Sequence, residues 1–244
     1  MREGGEILAN ILKKIAEAVR PGITTQSLEK LARELVLFYK VKAGFLGYGG
    51  YPAALCTSVN DEVVHCVPSG RVLKEGEIIS LDMGIVFNEL NLDSALTLPV
   101  LGKLTYKEWA KSNPRLHRLI EVTKESLGAG IKEARPGNHV GNISYAIQKI
   151  VESHGFNVIR DLVGHGIGKS LHEDPQVPNF GSTGEGELLK EGMTIAIEPM
   201  VSVGDWRLVT GDDKFTYRTK DGSFAAHFEH TVAIMKEEPL ILTR

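Results

Sequence analysis

Apolar positions recur at helical spacing near the N-terminus, and the same pattern returns about 115 residues later. Ile7, Leu8, Ile11, Leu12 and Ile15 fall on one helical face; Leu119, Ile120, Leu127 and Ile131 do much the same. Arg20-Pro21-Gly22 closes the first stretch and Arg135-Pro136-Gly137 the second. Proline lacks an N–H and glycine tolerates positive φ, so the pair stops each helix. A second helix follows in each copy. Its apolar positions Leu28, Leu31, Leu35 and Val36 answer to Ile143, Ala146, Ile150 and Val151, shifted by 115. Leu73-Lys74-Glu75-Gly76 then returns as Leu189-Lys190-Glu191-Gly192, each time leading into a β-branched run that ends in an acid. Shifted by 116, Asp82 lands on Glu198. Leu-Lys-X-Gly is also a common polar turn before a strand, but two offsets agreeing within one residue favour duplication. Two copies are too few for a solenoid. They predict two α/β halves about a pseudo-twofold axis, each supplying one acid near the junction, where ligand sites are often found.

The remaining pattern predicts short strands around Leu55 to Val59, Ile78 to Val86, Leu92 to Val100, Thr194 to Val203 and Trp206 to Val209. A last group runs from Phe215 to Ile234 with turns between. Asp221-Gly222 reads as a hairpin turn, and Gly181 to Gly186 as a surface loop. Lys103 to Pro114 is polar around Trp109 and reads as a connection between the halves. The expected organisation is one domain over residues 1–244, with internal halves at roughly 1–102 and 115–244.

With 244 residues and 42% hydrophobic content the chain can bury a substantial core. A net charge of −3 and the lack of a dense Lys/Arg cluster give no footprint for nucleic acid. No apolar run approaches a membrane span, and the acid-bearing N-terminus lacks a signal-peptide core. Cys56 and Cys66 have neither a secreted-scaffold pattern nor the CxxC spacing of a thiolate zinc site. A cytoplasmic protein, free of membrane and nucleic acid, is the expectation.

The acids change the picture most. Asp82, Asp93, Glu198 and Glu229 each lie in or beside an apolar run, and no basic residue accompanies them there. Buried carboxylates need a partner. Together with the glycine-flanked His165, four such acids suit two divalent cations better than salt bridges. Asp82 and Asp93 fit on two strands of one hairpin turning at Asn88, facing the same way; the alternative is that one caps a turn or faces solvent. Gly164-His165-Gly166-Ile167-Gly168 offers an imidazole on a backbone with little bulk, as a ligand or as a loop histidine bonded to backbone. It does not match the dinucleotide spacing G-x-G-x-x-G. His65 and His172 each precede a proline within three residues, where a strand should give way to a turn. Either could donate to an oxyanion or substrate amide, or be a structural histidine. Cys56 and Cys66 read most simply as small buried hydrophobes. No G-x-S-x-G elbow supports serine chemistry.

In order, Asn60-Asp61-Glu62-Val63-Val64-His65, Asp82, Asp93, Gly164 to Gly168, His172-Glu173-Asp174-Pro175, Glu198-Pro199-Met200 and Glu229-His230-Thr231 resemble type I methionine aminopeptidases. The likeness runs from near Met1 to about Met235. It implies an α+β pita-bread fold, in which two pseudo-twofold-related halves share a curved central antiparallel sheet flanked by helices. It implies two divalent ions (Co, Mn, Fe or Zn), with Asp82 on one, His165 and Glu198 on the other, and Asp93 and Glu229 bridging. A hydroxide held between the ions would attack the first peptide carbonyl. Glu198 would shuttle the proton, and His65 and His172 would contact substrate. Tyr48, Tyr51 and Cys56 match methionine-pocket positions. Phe45 stands where many bacterial members have cysteine, Phe215 where they have tryptophan and Leu171 where phenylalanine is usual. Leu92 and Cys66 replace common glycines.

The resemblance implies removal of initiator methionine from N-terminal peptides of nascent proteins, with the neighbourhood of the ribosome as one setting, by a monomer. An Xaa-Pro aminopeptidase or dipeptidase shares fold and ligands but normally carries an extra N-terminal domain, whereas this chain starts almost at once on its first helix. A type II enzyme needs a long insertion between Glu198 and Glu229. Creatine-hydrolysing relatives lack the full acid set, and non-catalytic binding relatives should show eroded ligands and basic tails.

Overall fold

Helices form where the apolar spacing predicts them. The computed structural model describes residues 1–244. Helix α1 spans Arg2–Ala18 and buries Leu8, Ile11, Leu12 and Ile15; α2 spans Thr25–Phe38 and buries Leu28 and Val36. In the second half α4 (Pro114–Glu133) buries Leu119, Ile120, Leu127 and Ile131. Helix α5 (Val140–Ser153) buries Ile143 and Val151, with Ile147 on the same face. Between them lies α3 (Tyr106–Ser112), a correction to the plain connection expected over Lys103 to Pro114. Thr105 and Glu108 cap it reciprocally, and Trp109 anchors it in the core.

The strands are β1 (Lys42–Ala43), β2 (Cys56–Val59), β3 (Glu62–Val64), β4 (Ile78–Phe87), β5 (Leu90–Pro99), β6 (Asn157–Val158), β7 (Gly164–Gly166) and β8 (Glu173–Val177). They continue with β9 (Thr194–Ile197), β10 (Met200–Ser202), β11 (Leu208–Thr210), β12 (Tyr217–Thr219), β13 (Ala225–His227), β14 (Glu229–Ala233) and β15 (Leu240–Ile241). Nine form one antiparallel sheet in the order β1-β4-β5-β14-β9-β7-β8, with β15 on β14 and β2 on β4. Two three-stranded sheets, β13-β10-β6 and β11-β12-β3, flank it.

The duplication is visible bond by bond. Gly22 N donates to Leu73 O at 2.9 Å, and Gly137 N to Leu189 O at 3.1 Å; Leu73 N returns to Ile23 O and Leu189 N to Asn138 O, both at 2.8 Å. Gly22 and Gly137 take φ of 86° and 90°, a left-handed turn that a side chain would strain. The central sheet repeats the symmetry: β4 and β9 lie one strand out from the β5–β14 pair, carrying Asp82 and leading to Glu198. One apolar core packs under α1 and α2, another under α4 and α5.

At the seam between the halves the backbone ladder is short. Only Glu229↔Ala95 and His230↔Ser94 pair across it. Side-chain hydroxyls continue the join: Thr231 Oγ1 accepts from Asp93 N at 2.9 Å and donates to Asp93 O at 2.8 Å, and Ser94 Oγ donates to Glu229 O at 2.8 Å. Thr97 Oγ1 likewise accepts from His227 N and donates to His227 O, both at 2.8 Å.

Three local expectations need correcting. The strand expected over Thr194 to Val203 breaks at Glu198-Pro199, because proline has no N–H for the ladder; β9 stays in the main sheet and β10 joins a small one. The Asp221-Gly222 turn forms, with Gly222 N bonded to Thr219 O, but it joins strands of different sheets and is not a hairpin. His65 does follow strand β3, whereas His172 precedes β8, so its turn enters a strand instead of leaving one. No helix is long and apolar enough to cross a membrane.

Candidate metal centre

The hairpin β4–β5 turns through Asn88 and Glu89, both at positive φ as a type I′ turn requires. Its register pairs Asp82 with Ala95 and Gly84 with Asp93. The two acids therefore share a face on adjacent strands, placed diagonally and not directly opposite. Glu229 opens β14 beside them, and Glu198 sits at the step from β9 to β10. His165 on β7 pairs with Ala196, which brings its ring to the same end of the sheet.

Asp93, His165 and Glu229 each offer a ligand atom, all within 4.8 Å of one another. His165 Nε2 lies 3.5 Å from Glu198 Oε1. Its Nδ1 is 2.8 Å from the Gly166 carbonyl, which fixes the proton there and leaves the Nε2 lone pair for a cation. Both readings of this histidine, backbone bond and ligand, are thus compatible in one geometry. Asp82 is next to Asp93, within side-chain hydrogen-bond reach of it.

No lysine or arginine pairs with any of the four acids; their only cationic-type neighbours are histidines. Burial first, then the neighbouring carboxylates, push Asp82, Glu198 and Glu229 well above the usual carboxylate range. Burial raises Asp93 to about 7, against the hydrogen bond from Ser94 N that favours its charge. Asp82 Oδ1 and Glu229 Oε1 are buried with no donor. Orphaned anionic oxygens converging on one imidazole fit divalent cations, because nothing in the chain itself completes them. Four carboxylate charges also match the charge of two such ions.

A cavity of about 190 Å³ rises from these acids. Its walls are Phe45, Tyr51, Cys56, Leu171 and Phe215, with Tyr48 at the rim. That volume is well below the several hundred cubic ångströms of a drug-sized site, and suits one amino-acid side chain. Burial, then the Asp82 carboxylate, holds the Cys56 thiol well above its ordinary pKa, so it is an apolar wall and not a thiolate. A wider cavity of about 560 Å³ shares His65, His165, His172 and Glu198 and opens outward.

His172 is exposed at the cleft, its Nδ1 hydrogen bonded to the Tyr48 hydroxyl at 2.8 Å and its ring edge-on to His165. His65 sits opposite at φ 57°. Its ring stands edge-on to Tyr217 at 5.7 Å, and protein atoms around it, with His172, lower its pKa to about 4. Buried Glu62 fixes this segment by accepting from Arg71 at 2.9 Å, Arg218 at 2.6 Å and Val59 N at 2.7 Å. All twelve residues named from the sequence as ligand, catalytic or pocket candidates line the smaller cavity. One was missed. His227, buried behind Glu198 and Glu229, was signalled only by its place two residues before an acid.

The sequence pattern of Metallopeptidase family M24 matches residues 1–236. The chain belongs to this family. Among M24 members it is 48% identical to a methionine aminopeptidase of Clostridium acetobutylicum, over all of this chain and 94% of that one. A solved methionine aminopeptidase from Thermotoga maritima superposes with a TM-score of 0.93 at 46% identity, covering 100% of this chain and 95% of that one. The resemblance read from the motifs is borne out. A prolidase from Pyrococcus horikoshii shares the fold alone: TM-score 0.73, 19% identity, all of this chain against 60% of that one. The M24 fold is the α+β pita-bread architecture that the resemblance implied, and it agrees with the duplication.

Proposed function

We propose that the chain is a methionine aminopeptidase, which removes initiator methionine from N-terminal peptides of nascent proteins when the second residue is small. The observation that carries this is the small apolar cavity standing directly on the acid cluster. It takes one side chain at its blind end and leaves the next peptide bond over the carboxylates. Residues 1–244 act as one catalytic domain, halves 1–102 and 115–244, because each half supplies ligands that the other completes.

Two ions would be held by Asp82 on one side and by His165 and Glu198 on the other, with Asp93 and Glu229 shared between them. The grouping of Asp93 and Glu229 with His165, which itself meets Glu198, supports the bridging role. When bound, the two ions acidify a water, polarise the peptide carbonyl and hold the substrate's α-amine. One imidazole among oxygen donors suits Co, Mn, Fe or Zn. Glu198 takes the water's proton and passes it to the leaving amine, from a carboxylate 3.5 Å from His165 Nε2. His172, oriented through Tyr48, donates to the oxygen on which charge develops, and His65 contacts the substrate from the opposite wall. Phe45, Tyr51, Cys56 and Phe215 receive the methionine side chain, an unbranched thioether suited to aromatic contact.

The test is a metal-reconstituted assay on Met-Ala-Ser and Ala-Pro-Ala. Release of methionine from the first alone is expected. Cleavage of only the proline-second peptide would overturn the assignment in favour of the prolidase branch of the fold.

A further inference from the structure

His227 ends β13, one residue before the chain steps at Phe228 into β14 and the Glu229 carboxylate. Its backbone is clamped on both sides by the Thr97 hydroxyl, and in register it pairs with Met200, two residues after Glu198. The side chain is 1% exposed, yet neither ring nitrogen has a hydrogen-bond partner. A buried N–H left unpaired costs about 1–3 kcal/mol, and a leucine or methionine would fill the same volume without that cost. The ring therefore calls for a role beyond packing.

Its surroundings supply one. Nε2 lies 3.8 Å from Glu198 Oε2 and 3.9 Å from Glu229 Oε2. It stands within 4 Å of both acids and is not among the residues that line the cavity. A displacement of roughly 1 Å brings either oxygen into hydrogen-bond range. Carboxylates that ligate a cation are themselves held by outer donors, which fix which oxygen turns to the metal. Glu198 and Glu229 receive no other side-chain donor: Asn179 bonds only the Glu198 carbonyl, and Ser94 only the Glu229 carbonyl.

We propose that His227 is a positioning residue of the metal centre, whose Nε2–H donates to the Glu198 and Glu229 carboxylates and keeps their opposite oxygens turned toward the ions. The inference rests on the dinuclear reading of the site. It makes no use of a change of charge on the ring. A side chain of similar length with an N–H in the same place should substitute for it, and one without should not.

The experiment compares His227→Gln with His227→Met, two unbranched side chains that differ in the donor. Mn²⁺ binding to the apo proteins is measured by calorimetry, alongside apo thermal melting. His227→Met should weaken the tighter-bound or second ion about 10–100-fold, while melting at the wild-type temperature or above. His227→Gln should bind within a few-fold of wild type. Equal affinities for wild type and His227→Met would overturn the proposal, as would a His227→Gln protein as weak as His227→Met. X-ray absorption showing two imidazoles bound directly to the ions would also overturn it, since His227 would then be a ligand. Wild type that takes up no Mn²⁺ would sink the metal-centre reading itself, a failure separate from either of these.

Discussion

Asp93→Asn should stabilise the metal-free protein while destroying its function. Asp93 is 4% exposed, and burial raises its pKa from 3.8 to about 7. In the apo protein the folded state therefore holds a proton that the unfolded chain gives up between about pH 4 and 7. Over that window the native state binds more protons, so raising the pH lowers its stability. Three pKa units at 1.36 kcal/mol each make this about 4 kcal/mol by pH 8. Asparagine keeps the oxygen that accepts from Ser94 N at 2.9 Å and removes the charge. It also relieves the repulsion that Asp93 exerts on Asp82, Glu198 and Glu229. Apo Asp93→Asn should thus exceed apo wild type by up to about 4 kcal/mol at pH 8, roughly 10 °C in melting temperature, and equal it near pH 4. Denaturant melts of both proteins in chelator, at pH 4 and 8, measure the difference. With saturating metal the order should reverse, and turnover of Met-Ala-Ser should vanish. A variant less stable than wild type in chelator at pH 8, or an advantage that does not change with pH, would refute the charge-burial argument.

Further outcomes follow from other contacts. His172→Ala should lower kcat about 100-fold with unchanged metal content, as loss of one oxyanion donor does, and Tyr48→Phe should do less through the lost bond to His172; an unchanged kcat would remove His172 from the reaction. Glu62→Gln should cost about 1–3 kcal/mol in urea melts, because Arg71 and Arg218 lose their buried partner while keeping Glu77 and Asp61; a loss under 1 kcal/mol would show the pairs to be solvent-screened. Gly5→Ala should destabilise despite alanine's better helix propensity, by about 1–3 kcal/mol from overpacking, since a Cβ there would meet the Leu242 carbonyl oxygen at 2.0 Å. An unchanged melting temperature for Gly5→Ala would mean that the C-terminal segment yields freely.

The duplication was legible because it rests on turn chemistry: Pro-Gly at two helix ends and Leu-Lys-Glu-Gly before two strands are local signals with one geometry each. The Asp82–Asp93 pairing was legible for the same reason, through Asn88. Its diagonal register was not, since two positive-φ residues turn the chain where Asn88 alone was counted. The break at Pro199 carried its signal in the sequence, as proline cannot donate within a ladder, and so did α3 in Thr105 and Glu108. His227 carried almost none. Ala225-Ala226-His227-Phe228 reads as an ordinary strand, and only the crossing of the chain between two sheets brings the ring behind Glu198, which lies 29 positions away.

The join between β5 and β14 bears on which ions the site accepts. A backbone ladder allows displacement only by breaking paired N–H and C=O groups, and re-forms two residues along. A hydroxyl rotates about its bond and follows its partner through small shifts. Thr231 and Ser94 take the place of part of the ladder between the strand carrying Asp93 and the strand carrying Glu229. Asp93 and Glu229 can therefore separate or approach by tenths of an ångström without unzipping the sheet. Such a joint tolerates cations of differing radius, so discrimination among them falls to supply and to donor chemistry more than to a rigid aperture.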